Sequence, residues 1–197
     1  MSQLPVIETA RLMLRDINER DATAYDRHFI DYEVIGTMSH LVPWPYPQNG
    51  VLKYIRTVLM PNQCMDQWFW GICLKPKVDE LIGTIWLKRK GTPSNRGFWL
   101  GKKFWREGIM TEAVKPVTDY AFDGLGFEKL VLANAVGNSA SRRIKEKMGA
   151  VFLRTEPAIY VNPRYKEREV WELTKECWKA FNTSAPTAQT WRPCSAR

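Results

Sequence analysis

The chain has 197 residues, a hydrophobic content of 45% and a formal charge of +8, which suits one globular domain with a full core and asks for no second. No uncharged apolar run approaches the roughly 18–20 residues of a membrane span, and residues 1–14 carry Glu8 and Arg11 instead of a basic-then-apolar leader, so the expected location is cytoplasmic. Cys64, Cys73, Cys177 and Cys194 are scattered without Cys-x-x-Cys spacing and only His28 and His40 accompany them, which argues against a disulfide framework and against a metal site.

In chain order, residues 7–18 read as a first strand with Leu12, Leu14 and Ile17, followed by Asn18 or Asp21 as the cap of a helix reaching about Phe29. Residues 36–47 contain Pro43, Pro45 and Pro47, which forbid helix interior and central strand alike, so this segment is a stiff loop. Helical spacing returns over 48–59, with Val51, Leu52, Ile55, Val58 and Leu59 on one side and Pro61 as the expected stop. Residues 68–74 and 81–87 are aromatic and β-branched runs around a turn at 76–80, an antiparallel pair with Trp68, Trp70 and Trp86 as packing residues. A strand over 96–101 follows. The stripe Ala113, Val114, Val117 and Ala121 gives a helix over 111–122, with Pro116 inside it as a kink.

Residues 130–135 read as a buried strand and 138–148 as a helix capped by Asn138 and closed by Gly149. Strands over 151–153 and 168–173 complete the sheet, and a short helix covers 174–181. Residues 182–197, rich in Thr, Ser, Ala and Pro, are expected to be a disordered tail outside a domain spanning 1–181. The order gives an α/β (α+β) mixed sheet of six to seven strands with helices on both faces.

The charge is localised. Between Lys88 and Glu107 there are seven bases and one acid, and between Arg142 and Lys147 four bases and one acid. Two basic pieces suit a compact polyanion if they meet in space; a nucleic-acid groove would want basic residues spread along a face with aromatics between them. The segment Gly97-Phe98-Trp99-Leu100-Gly101 to Val114 reads as a strand, a basic turn and a helix start, the local geometry of an anion pocket.

Three motifs carry a family likeness: Thr9-Ala10-Arg11-Leu12; Trp105-x-x-Gly108-x-x-Thr111-Glu112-Ala113; and Asn138-x-x-Ser141-x-x-x-x-x-Lys147-x-Gly149. In this order they resemble the GCN5-related N-acetyltransferases (GNAT), in the branch of bacterial ribosomal-protein N-terminal acetyltransferases. The resemblance implies a GNAT fold with a splayed strand pair, acetyl-CoA as co-substrate without a metal, and a primary amine as acceptor, either a protein N-terminus or a small amine. A monomer or homodimer is expected, with no membrane partner for want of an apolar run and no nucleic-acid partner because the charge is concentrated around the second motif.

For the cofactor the resemblance points to Trp99, Leu100, Lys103, Arg106, Glu107, Gly108, Ile109, Met110, Thr111, Asn138, Ser141 and Arg143, with Lys102 and Arg142 as further phosphate partners. The backbone N–H near Leu100 would polarise the thioester carbonyl. Ser141 is the candidate general acid, because the tyrosine that many related enzymes place seven residues after the asparagine is Lys145 here. Asn138 also reads simply as a helix cap. The branch's usual acid before Tyr160 is Ile159; Glu156 is the candidate base, with Glu167 nearby and solvent as the alternative. Trp44, Tyr46 and Tyr160 match the acceptor end. Arg106, Glu107 and Met110 depart from the pattern, where Gly, a neutral or basic residue, and Ala or Gly are usual. A non-catalytic acyl-CoA sensor and a basic nucleic-acid binder are the rival readings.

Overall fold

Runs of aromatic and β-branched residues form the strands: β1 (Ile7–Glu8), β2 (Leu12–Arg15), β3 (Gln67–Leu74), β4 (Leu81–Lys88), β5 (Arg96–Leu100), β6 (Lys129–Ala135), β7 (Val151–Pro157) and β8 (Glu167–Thr174). They make one sheet in the order β1-β2-β3-β4-β5-β6-β8-β7, seen in a computed structural model that describes residues 4–90 and 93–182. The expected tail, beyond its first residue Asn182, lies outside the described residues.

The eight strands exceed the expected six to seven because the first strand is broken. Thr9 N–H donates to Leu12 O at 3.0 Å and Thr9 Oγ1 accepts Leu12 N–H at 3.0 Å, so the chain folds back at residues 9–11 and β1 pairs antiparallel with β2. The strand after Gly149 is also longer than expected, pairing with β8 from Val151 to Pro157.

Helices cover both faces. On one, α1 (Ala22–Phe29), α2 (Tyr32–Ile35) and α3 (Gly50–Tyr54) pack Tyr25, Phe29, Ile35 and Val51 against Phe69, Leu81 and Trp99. A π-turn over Ile55–Leu59 and α4 (Met60–Asn62) extend α3. Helical structure therefore runs through Pro61 to Asn62, past the expected stop, because proline is tolerated in a first helical turn. On the other face α5 (Ile109–Asp119), α6 (Ser139–Glu146) and α7 (Lys175–Asn182) cover Trp68, Trp70, Ile85 and Leu132. Pro116 is buried inside α5. Neighbouring strand residues serve opposite faces, so Trp99 faces α1 while Leu100 faces α5. Gly97 makes room for Trp86, whose ring would lie 2.0 Å from a β-carbon there.

The feature that positions the site is the junction of β5 and β6. β5 runs antiparallel to β4 from Leu87↔Arg96 to Gly83↔Leu100, yet its parallel pairing with β6 is confined to Arg96↔Leu132. Asn95 holds the start of the contact: its N–H donates to Val131 O at 2.8 Å and its Oδ1 accepts Val131 N–H at 2.8 Å. Beyond Arg96 the ladder ends and the strands part.

Candidate functional site

The gap between β5 and β6 has a polar edge. Lys88 N–H donates to Asn95 O at 2.8 Å and Gly101 N–H to Ile82 O at 2.9 Å, so odd-numbered residues bond β4 along this strand. The antiparallel ladder alternates, and the backbone N–H groups of Phe98 and Leu100 therefore point to the side that β6 has left. The Leu100 carbonyl on that side accepts from Trp105 Nε1 at 2.7 Å. Trp99 faces the other way: its ring packs against Tyr25 and Phe29 and its Nε1 donates to the Tyr25 hydroxyl at 3.3 Å.

At the end of β5 the chain makes a 3₁₀ turn over Lys102–Phe104 and two left-handed residues, Arg106 (φ 66°) and Gly108 (φ 76°). Gly108 is the N-cap of α5 and gives no side-chain cap; the first turn closes with Glu112 N–H to Gly108 O at 3.0 Å. The N–H groups of Ile109, Met110 and Thr111 thus precede the first intrahelical bond, at the positive end of the helix dipole. Ile109 and Met110 are buried in the core, so the bulk of Met110 leaves the outer face of the turn to backbone. Arg106 shows why glycine is frequent at its place: the residue is left-handed, where a β-carbon is penalised. Glu107 is exposed.

Two of the three sequence motifs meet here. Glu112, in the first turn of α5, accepts from Thr9 Oγ1, from Arg11 N–H at 2.9 Å and from Arg11 Nε at 2.7 Å, and Arg11 Nη1 donates to Glu107 O at 3.0 Å. Burial raises the Glu112 carboxyl, but the bonds from Thr9 and Arg11 outweigh it and hold it below its ordinary value. Sequence reasoning misses Arg11 and Glu112 as residues of the site. Their signal was present in the motifs themselves, but the hundred-residue separation hid the contact.

The expected phosphate cations are unevenly placed. Lys102 pairs with Glu33 and Lys103 lies 3.7 Å from Glu80, both carboxylates of the neighbouring elements. Arg142 binds Glu146 at 2.8 Å and Glu169 at 3.2 Å. Arg106 and Arg143 are exposed.

On α6, Asn138 Oδ1 accepts Ser141 N–H at 3.1 Å, the capping role that the sequence allowed. Ser141 is buried and its Oγ accepts from Lys145 Nζ at 2.9 Å. Lys145 is itself buried, and the desolvation, with the positive charge of Arg96, pushes its amine well below the ordinary lysine value against the pull of Glu169. Glu169 accepts from Asn134 Nδ2 at 3.0 Å and Trp171 Nε1 at 3.2 Å. Arg96 Nη1 donates to Thr118 Oγ1 at 2.9 Å, and burial lowers its guanidinium to about 10. These groups form one buried polar layer between the sheet and α5 and α6.

At the far end, residues 36–40 run alongside 159–162: Ser39 bridges Tyr160, His40 N–H donates to Ile159 O at 3.2 Å, and Val161 N–H donates to Met38 O at 3.0 Å. Trp44 is exposed and tilts against Tyr32, whereas Tyr46 packs edge-on against Phe29. Burial pushes the Tyr160 hydroxyl up to about 12. Glu156 lies 2.6 Å from Arg168 and 2.8 Å from Arg154, and these bonds hold its carboxyl below the ordinary range. A carboxylate so paired is a weak proton acceptor. His28 is buried, 3.0 Å from Glu80.

The acetyltransferase (GNAT) domain model matches residues 11–151 of the chain. The uncharacterized N-acetyltransferase YoaA of Bacillus subtilis (strain 168) is 31% identical over 148 residues, 74% of this chain and 82% of that protein. Among solved structures, the ribosomal-protein-S5-alanine acetyltransferase of Vibrio fischeri superposes with a TM-score of 0.72 at 16% identity, covering 88% of this chain and 98% of its own. RimL, a ribosomal L7/L12 alpha-N-protein acetyltransferase in complex with coenzyme A, gives 0.70 at 17% identity, covering 87% and 99%.

Proposed function

The chain belongs to the GNAT acetyltransferases, and from that membership we propose that it transfers the acetyl group of acetyl-CoA to a primary amine, by direct attack in a ternary complex. The acceptor is a protein N-terminus or a small amine. The observation that carries this reading is the single-pair contact of β5 with β6, which leaves the N–H groups of Phe98 and Leu100 facing a gap that leads to the uncapped start of α5.

The residues present fit acetyl-CoA. When bound, it supplies an acetyl thioester and a thiol leaving group. The Phe98 and Leu100 backbone would hold its arm as an added strand, and the N–H groups of Ile109, Met110 and Thr111 would hold its pyrophosphate, with Gly108, Arg106 and Arg143 beside them. Leu100 N–H is the donor we assign to the thioester oxygen. Asn138 fixes the start of α6, and Ser141 Oγ is the group we assign to protonate the thiol. The double ion pair of Glu156 argues against its service as base, so we assign loss of the amine proton to solvent, with proximity supplying much of the rate.

The sensor reading is not favoured, because the relatives named above all carry the name of acetyltransferases. For the acceptor, Trp44, Tyr46 and Tyr160 stand at the bridged loops, where exposed Leu41 and Ile159 offer apolar contact to a peptide. Titration calorimetry with acetyl-CoA, followed by thiol release with a panel of amines and of peptides with free N-termini, tests the proposal. Binding with thiol release on at least one class supports it; no binding at physiological concentration overturns it.

A further inference from the structure

We propose that Lys145 is a positioning residue that acts through Ser141: its Nζ donates to Ser141 Oγ and re-supplies the proton that Oγ gives to the departing thiolate. The inference rests on the acetyl-CoA reading above and extends it to a group outside any contact with substrate.

The geometry puts a donor behind the hydroxyl. In its ammonium form Lys145 donates and the Ser141 hydroxyl oxygen accepts, and the two atoms are 2.9 Å apart with both side chains buried. Once Oγ has accepted this bond, its own hydrogen must point elsewhere. Ser141 N–H is already held by Asn138 Oδ1 at 3.1 Å, which fixes the residue at the start of α6. A serine hydroxyl alone is a poor acid. A hydroxyl with a charged donor at its back can lose a proton and gain one in the same movement.

The surroundings make Lys145 ready to give. Arg96 approaches from β5, and its Nε and Nη2 have no hydrogen-bond partner among the described residues, so its charge is incompletely neutralised. From β8 comes Glu169, whose carboxylate is shared among Asn134, Trp171 and Arg142 and is therefore only partly available to Lys145. α5 contributes Thr118, which is occupied by Arg96 and by the Val114 carbonyl. Desolvation and Arg96 both favour the neutral amine, and Glu169 keeps the ammonium within reach.

The proton count closes. As the acetyl group moves to the amine, the carbon–sulfur bond breaks and the sulfur takes the Ser141 hydroxyl proton. The Oγ–H bond is remade with a proton from Lys145, which becomes a neutral amine. The acceptor ammonium sheds two protons to solvent in becoming an amide, and solvent returns one of them to Lys145.

The test uses the full chain and coenzyme A alone, following the ultraviolet absorbance of the thiolate as pH is raised. A donor aimed at the sulfur stabilises the thiolate, so bound coenzyme A should titrate at least about one pH unit lower on the wild type than on Lys145→Gln. Ser141→Ala should raise the value by the same amount, and the double variant should add nothing further. Equal titration of wild type and Lys145→Gln, or additive effects in the double variant, overturns the inference. An unchanged thiol on Ser141→Ala is likewise fatal, whether or not Lys145→Gln folds. Failure of coenzyme A to bind the wild type would remove the acetyl-CoA reading itself, and this inference with it.

Discussion

Arg11→Ala cuts the tie between the first hairpin and the turn before α5, and its consequences can be worked from the contacts. The substitution removes the Nε bond to Glu112 at 2.7 Å and the Nη1 bond to the Glu107 carbonyl at 3.0 Å, while the Arg11 N–H and Thr9 bonds to Glu112 survive. A charge-assisted hydrogen bond contributes about 1.5–3 kcal/mol, but the Arg11 side chain is 48% exposed. Solvent screening at that exposure reduces the expected loss to about 1–2 kcal/mol. In a domain of this size it lowers the melting temperature by about 2–8 °C. Freeing Glu107 also loosens the segment that carries Arg106 and Gly108, so acetyl-CoA should bind about three- to tenfold more weakly by calorimetry, the equivalent of losing one ordinary hydrogen bond of preorganisation. The Glu112 carboxyl is held below its unfolded value, so the pair stabilises above the ordinary carboxylate range and loses that contribution as pH falls through the folded value. The gap between wild type and Arg11→Ala should therefore close below about pH 4. A variant with the melting temperature and affinity of the wild type at neutral pH would refute the reasoning.

Arg106→Gly relieves a left-handed β-carbon, and after the greater freedom of glycine in the unfolded chain is counted it should stabilise by about 0.5–1 kcal/mol, raising the calorimetric melting temperature by about 1–4 °C. Asn138→Ala removes the cap of α6 and should cost about 1 kcal/mol, measured by denaturant midpoint at unchanged slope. Glu156→Gln should leave kcat within about threefold at saturating substrates, against the 10²–10⁴ lost with a true acid–base group; a larger loss would return Glu156 to the role of base.

Much of the fold was legible because its signals are local. The runs at 68–74 and 81–87 could be nothing but strands, the proline-bearing residues 36–47 could only be a loop, and Asn138 announced a helix start that the structure confirms as a capped one. Errors fell where a local rule met a competing contact. Thr9 turned one strand into two by bonding Leu12, and Pro61 was accommodated inside a helical run. In the site, Met110 read as a departure from the family pattern whose direction is invisible in sequence; helix geometry turns it into the core. Lys145 read as a missing tyrosine; its place four residues after Ser141 puts the two on one helix face, but the burial of the pair is decided only in the fold.

The sequence by itself determined the family, the order of the elements and the turn that would start α5, since motifs, periodicity and caps are written over a few consecutive residues. Only the tertiary structure decided that β5 leaves β6 after one residue pair, that Arg11 and Glu112 meet across the chain, and that Arg96, Lys145 and Glu169 share one buried layer. Those facts depend on which distant groups are brought together and how much water is taken from them. Charge and hydrogen bonding acquire their strength only at that point.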